Sequence, residues 1–240
     1  EADSKIADLE LVDKQKVKDI LRKMDSKIEN RIEKSKQQWE DRNYRIGVVT
    51  NQTRAKEKII TGEILHLDGD RKYSEKSYRY YRKLGLNAIV KNIPENKQSK
   101  MVKQLLMIYN PDILVITGHD AYYRKRGNEN ELASYKNSGY FVNAIKEARR
   151  FEKSHQKLII IAGGCQSDYE ELIKAGANFA SSPKRINIHA LDPAIIAAKM
   201  SLSDTTKDID LKAILDNTKY GSAGMGGIKT KGTMYVGYPR

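Results

Sequence analysis

Cysteine is almost absent from this sequence: Cys165 is the one thiol in 240 residues. A single cysteine excludes an intrachain disulfide and a multi-cysteine zinc centre. A free thiol suits a reducing compartment. Out of context such a residue is most often a small buried hydrophobe. Long apolar runs are also missing. The longest, around Leu158 to Ala162, is strand-sized, against roughly 18 residues for a membrane-spanning helix. No charged-then-apolar leader stands at the front, so neither a signal peptide nor a membrane partner is expected. The first residue is Glu1 rather than methionine. The expectation is a processed or partial chain from which a targeting or further domain can be missing. No internal repeat and no nucleic-acid recognition motif is visible.

Charge, by contrast, is plentiful. Lys plus Arg is 44 and Asp plus Glu is 31, a formal net charge of +13. Such a balance favours anionic partners but says nothing about fold. The basic residues are scattered over segments such as "KQSKMVK", "YYRKRG" and "EARRFEKSHQK". That reads as solvated helix faces and loops, and a nucleic-acid partner is not expected.

Residues 1–43 contain neither Pro nor Gly. Apolar residues recur at Val17, Ile20/Leu21, Met24, Ile28, Ile32 and Trp39, one stripe at helical spacing. This predicts an N-terminal helical arm. From Tyr44 to Arg240 strand and helix patterns alternate. "YRIGVVT", "KIITGEILHLDGD", "LNAIVKNI", "ILVIT", "KLIIIAG" and "ANFASS" read as strands. The segments between them read as helices. One is capped by Ser74 and stopped by Gly85; a later one has Asp192 as N-cap and Pro193 in its first turn. Such alternation predicts an α/β fold: a three-layer α/β/α sandwich on a mostly parallel sheet. Right-handed crossovers then place every strand's C-terminal end on one edge.

Two strands carry chemistry to that edge. "ILVITGHDA" ends on Gly118-His119, and "LIIIAGGCQS" ends on Gly163-Gly164-Cys165. Neighbouring strands lie about 4.8 Å apart, so an imidazole and a thiol can face one another there. The glycines permit tight turns and close substrate approach. The thiolate is a nucleophile, and a nearby imidazole can raise its fraction or take its proton as substrate arrives. Backbone N–H groups at the turn before the helix near Asp168 can hold a developing oxyanion. Of the other histidines, His66 and His189 are expected to be structural and His155 exposed.

A strand ending in Gly-His and another ending in small-small-Cys-Gln-Ser resemble the caspase-like clan of cysteine peptidases. The spacing of 46 residues between His119 and Cys165 agrees with the roughly 50 of a caspase. More specifically, "GEILHLDGD", "PDILVITGHDAYY", "YKNSGYFVNAIKEARR", "IIIAGGCQSDYEELIKAGANFASSPKRINIHALDP", "GGIKTKGT" and "GYPR" resemble the YabG family of sporulation-specific cysteine peptidases. The resemblance covers Tyr44 to Arg240, and it implies a small β-rich domain ahead of this part. It further implies an endopeptidase that trims spore coat and germination precursor proteins after arginine, in the mother cell or on the coat, without metal or cofactor. His119 would be the general base and Cys165 the nucleophile, with the backbone N–H groups of Gly118, Asp120 and Cys165 forming the oxyanion hole. Many such enzymes carry glycine where this chain has Asp120, and the Asp120 carboxylate is expected to point away.

A substrate guanidinium needs a paired acid. Acids on the catalytic edge are Asp68, Asp70, Asp120, Asp168 and Asp192. Related enzymes draw one from the loop after the first core strand, which selects Asp68 and Asp70; "DGD" also reads as a plain turn. It lacks the twelve-residue calcium-loop pattern. Gly163, Ser181 and Ser182 are the expected pocket walls. An arginine-directed peptidase can also cut itself, and Arg22, Arg31, Arg42, Arg45 and Arg54 offer places to do so. Three other readings compete: a cysteine amidase, against which the His-before-Cys order counts; a non-enzymatic basic module of the spore coat; and a nucleic-acid binder.

Overall fold

The computed structural model describes residues 58–237 together with Asp19, Arg22, Lys23, Ser26 and Asn30, which are helical and exposed. The remainder of the expected arm and the expected strand "YRIGVVT" lie outside the described residues. Contacts divide the chain into two compact units, 1–58 with 237–240, and 59–236. The second unit holds every candidate site residue.

The strands are β1 (Lys58–Ile60), β2 (Ile64–Asp68), β3 (Ala88–Asn92), β4 (Ile113–Thr117), β5 (Ile159–Ala162), β6 (Phe179–Ser181), β7 (Met225–Gly227) and β8 (Tyr235–Gly237). Within residues 58–237 the α-helices are α1 (Arg71–Lys83), α2 (Glu95–Tyr109), α3 (Ser138–Phe151), α4 (Tyr169–Lys174), α5 (Asp192–Ser201) and α6 (Leu211–Leu215). "KIITGEILHLDGD", expected as one strand, breaks at Gly62. A side chain there would collide with Thr233 Oγ1, 2.0 Å from an ideal Cβ.

Six strands form one sheet in the order β3-β2-β4-β5-β6-β7. The first five are parallel and β7 is antiparallel. The α/β class and mostly parallel sheet are therefore as the alternation predicts. β2, β4 and β5 are buried throughout, as continuous apolar strands covered on both faces must be. Leu65, Leu67, Leu114, Ile116 and Ile160 pack one face against Val102 and Leu106 of α2 and Phe141 and Ile145 of α3. On the other face α1 packs on β2 and β3, and α5 packs on β4 and β5. Burying an aromatic or aliphatic side chain of this kind contributes roughly 1.5–3 kcal/mol each.

The chain runs from β2 outward to β3, then returns to place β4 on the other side of β2. Strand order reverses between β2 and β4, the place where parallel sheets open a crevice at their C-terminal edge.

Two helix starts differ from expectation. α1 begins earlier, because the Asp70 carboxylate accepts from the N–H groups of Lys72 (2.7 Å) and Tyr73 (3.2 Å). Ser74 lies inside the helix and donates to Asp70 O at 2.7 Å. Asp192 sits in the first turn of α5 rather than at its cap, accepting from His189 N and Lys219 N at 2.9 Å each. Gly85, at φ +67°, follows the C-cap of α1, as the stop signal predicts.

Candidate active site

β4 ends at Thr117, and Gly118 carries the chain to His119. Its parallel neighbour β5 pairs Ala162 with Ile116 and then turns through Gly163 and Gly164 to Cys165. His119 and Cys165 both line one cavity, together with Asp68, Tyr73, Gly163, Ile188 and Pro193.

The glycines make this closeness possible. An ideal Cβ on Gly164 would lie 2.3 Å from Gly118 O and 3.2 Å from Asp120 N. The histidine turn and the cysteine turn therefore touch backbone to backbone. Gly163 has φ +106°, and a Cβ there would meet Ser181 Oγ at 2.3 Å.

Three groups hold His119. Its Nε2 lies 3.0 Å from Asp70 Oδ2. Its backbone N–H donates to Glu95 Oε1 at 2.8 Å, and its carbonyl accepts from Asn137 Nδ2 at 2.7 Å. The Tyr73 ring stands edge-on to the imidazole, with centroids 5.8 Å apart. The contact to His119 holds the Asp70 carboxyl below its usual range.

Cys165 is partly buried, and its thiol donates weakly to Ile188 O at 3.6 Å. Burial pushes that thiol above its ordinary value, so the resting sulfur keeps its proton.

Asp120 is buried and turned into hydrogen bonds. It accepts from Ala121 N (2.9 Å), Asn137 N (2.7 Å), Ser167 Oγ (2.8 Å) and Ser138 Oγ. Burial raises its carboxyl, and these donors oppose the rise. The Ser167 hydroxyl also accepts from Gly164 N at 2.8 Å. One carboxylate thus ties the loop after β4, the start of α3 and the cysteine turn together.

The expected arginine acids part company. Asp68 is buried and lines the cavity, accepting from Thr117 Oγ1 (2.8 Å) and Asp70 N (2.7 Å). Asp70 is absent from the cavity wall and caps α1. Asp168 caps α4 beside Arg185. Ser181 and Ser182, expected as walls, are fully buried beneath the cysteine turn instead. Ser181 Oγ donates to Gly164 O at 2.7 Å, and Ser182 Oγ accepts from Gln166 N at 2.9 Å. They brace the turn because β6 ends one strand beyond β5, behind the loop rather than in front of it.

His66 is fully buried, with Nδ1 3.0 Å from Tyr81 OH and Nε2 2.9 Å from Thr117 Oγ1. His189 Nδ1 accepts from Leu191 N at 3.1 Å. His155 is half-buried rather than exposed, 3.4 Å from Arg149, and burial with that guanidinium lowers its pKa. Glu95 has no counterpart in the sequence reading. The available signal was Pro94-Glu95 opening a helix directly after β3 on the catalytic edge. Among the described residues no cluster of three or more His, Cys, Asp or Glu could hold a metal, and no helix is long and apolar enough to cross a membrane.

Comparison with known proteins follows the same line. The chain is 45% identical over 180 residues to the sporulation-specific protease YabG of Bacillus subtilis (strain 168), covering 75% of this chain. It spans 62% of that protease's length. The family model described as YabG peptidase U57 matches residues 1–239. With that match running almost end to end, the chain belongs to the YabG peptidase family, U57.

Proposed function

We propose that the chain is a cysteine endopeptidase working through His119 and Cys165. The observation that carries this is the pairing of an imidazole and the sole thiol on one cavity, at the ends of adjacent parallel strands. His119 takes the thiol proton as substrate enters, which suits a sulfur that burial keeps protonated at rest. The sulfur attacks the scissile carbonyl carbon, and the carbonyl π electrons move to oxygen. Backbone N–H groups of Gly118, Asp120 and Cys165 are the donors for that oxyanion. Collapse expels the amine, which takes its proton from His119. Water, deprotonated by the same imidazole, then hydrolyses the thioester. This chemistry requires neither metal nor cofactor.

The cut falls after arginine. The burial of Asp68 on the cavity wall supports it as the acid that pairs with the guanidinium. The substrates are spore coat and germination precursor proteins, met in the mother cell of a sporulating bacterium or on the coat. Residues 1–43 are the arm and residues 44–240 the peptidase domain, and Arg22, Arg31, Arg42, Arg45 and Arg54 are places for self-processing. The test is turnover of arginyl and lysyl peptide reporters, with and without an irreversible thiol reagent. Thiol-sensitive cleavage after arginine, lost in Cys165→Ala and His119→Ala, is expected. Undiminished turnover in either variant would remove the dyad, and absence of any turnover in wild type would favour a non-enzymatic coat-binding module.

A further inference from the structure

We propose that Asp70 is a positioning residue for His119, fixing the imidazole's orientation and tautomer. This rests on the cysteine-peptidase reading above and assigns Asp70 a different task from the binding of substrate arginine.

Both carboxylate oxygens of Asp70 are already engaged. Oδ1 accepts the Lys72 and Tyr73 N–H groups at the start of α1, and Oδ2 faces His119 Nε2 at 3.0 Å. Its own N–H donates to Asp68 Oδ1 at 2.7 Å. The residue is therefore anchored before it meets the histidine, its carboxylate by two N–H groups and its backbone by one bond. Asp68, not Asp70, lines the cavity. A guanidinium entering there meets the former.

His119 needs such an anchor. Its side chain is 57% exposed, so little packing restricts its rotamer. A carboxylate accepting from Nε2–H leaves the lone pair on Nδ1, the nitrogen then available as base. The charged and titratable groups around the imidazole are Asp70 at the N-cap of α1, Tyr73 of α1, Glu95 of α2 at the backbone N–H, and Asp68 and Cys165 on the wall of the same cavity.

Asp70→Asn and Asp70→Ser separate this from capping, because Asn and Ser are both good N-caps. Asn presents an N–H to Nε2 and favours the wrong tautomer; Ser is too short to reach. For both, kcat on the arginyl reporter should fall at least about tenfold, towards the ~10⁴-fold loss known for the orienting Asp of serine-protease triads. KM should stay within about twofold of wild type. The second readout is the rate of Cys165 alkylation by iodoacetamide against pH, read by intact mass. The Asp70→Asn profile should move onto that of His119→Ala. A rise in KM and loss of arginine preference at unchanged kcat would make Asp70 a substrate-binding acid and overturn the proposal. Wild-type kcat together with a wild-type alkylation profile would overturn it equally. Full turnover by His119→Ala and Cys165→Ala would instead sink the peptidase reading and take this proposal with it, an outcome visible in those control proteins alone.

Discussion

Gly164 lies against the backbone of Gly118: an ideal Cβ on it would stand 2.3 Å from the Gly118 carbonyl oxygen. The two turns that deliver sulfur and imidazole are thus in direct contact, and their separation is set by main chain rather than by flexible side chains.

Gly164→Ala should therefore push the turns apart. Overpacking of this kind costs roughly 1–3 kcal/mol, and a misplacement of about 1 Å in a catalytic group can cost about 100-fold in rate. Thermal melts and reporter kinetics on the purified variant check both. Wild-type kcat would show that the turns can yield without moving the reacting groups.

Cys165 should be a sluggish nucleophile in the resting protein. Its thiol is raised by burial, so the thiolate fraction at pH 7 is below that of a free cysteine. Alkylation by iodoacetamide should be slower than that of a cysteine peptide at pH 7, and should accelerate as pH rises past the ordinary thiol value of about 8.5. A faster reaction than the peptide at neutral pH would mean that His119 already holds the thiolate before substrate binds.

Asp70 gives a pH signature in stability. Its carboxyl is depressed chiefly by the contact to His119, with the helix N–H groups adding to this. A depressed carboxylate stabilises the fold above its unfolded value, about 3.9, and the contribution disappears as pH falls through the folded value. The difference in Tm between wild type and Asp70→Ala should shrink as pH falls below about 4. A difference that grows as pH falls below about 4 would contradict the assignment.

Phe141 is fully buried between α3 and the sheet. Phe141→Ala should destabilise by about 3–5 kcal/mol, seen in denaturant titration. Activity per folded molecule, measured well below the melting temperature, should change little, because the ring packs on the helix layer away from the cavity.

The strands were readable because β4 and β5 are covered on both faces, which demands unbroken apolar residues, "ILVI" and "LIIIA". The helix starts were harder. Ser74 and Asp192 each have the chemistry of a cap, yet Asp70 caps α1, and Asp192 binds backbone N–H groups of His189 and Lys219 instead. Cap preference is a local rule. Which of several nearby acceptors wins depends on where the strand before the helix ends.

Residue order alone determined the α/β layering and brought His119 and Cys165 to strand ends, because periodicity and chain direction are written locally. Only tertiary structure decided the company they keep. It brought Glu95, at the start of α2, to the His119 backbone, sent Ser181 and Ser182 behind the cysteine turn, and put Asp68 on the cavity wall but Asp70 at the start of α1. Those assignments hang on contacts 2 to 49 positions apart in sequence, and a hydrogen bond is directional over a few tenths of an ångström. No pattern of residue types along a chain carries geometry that fine.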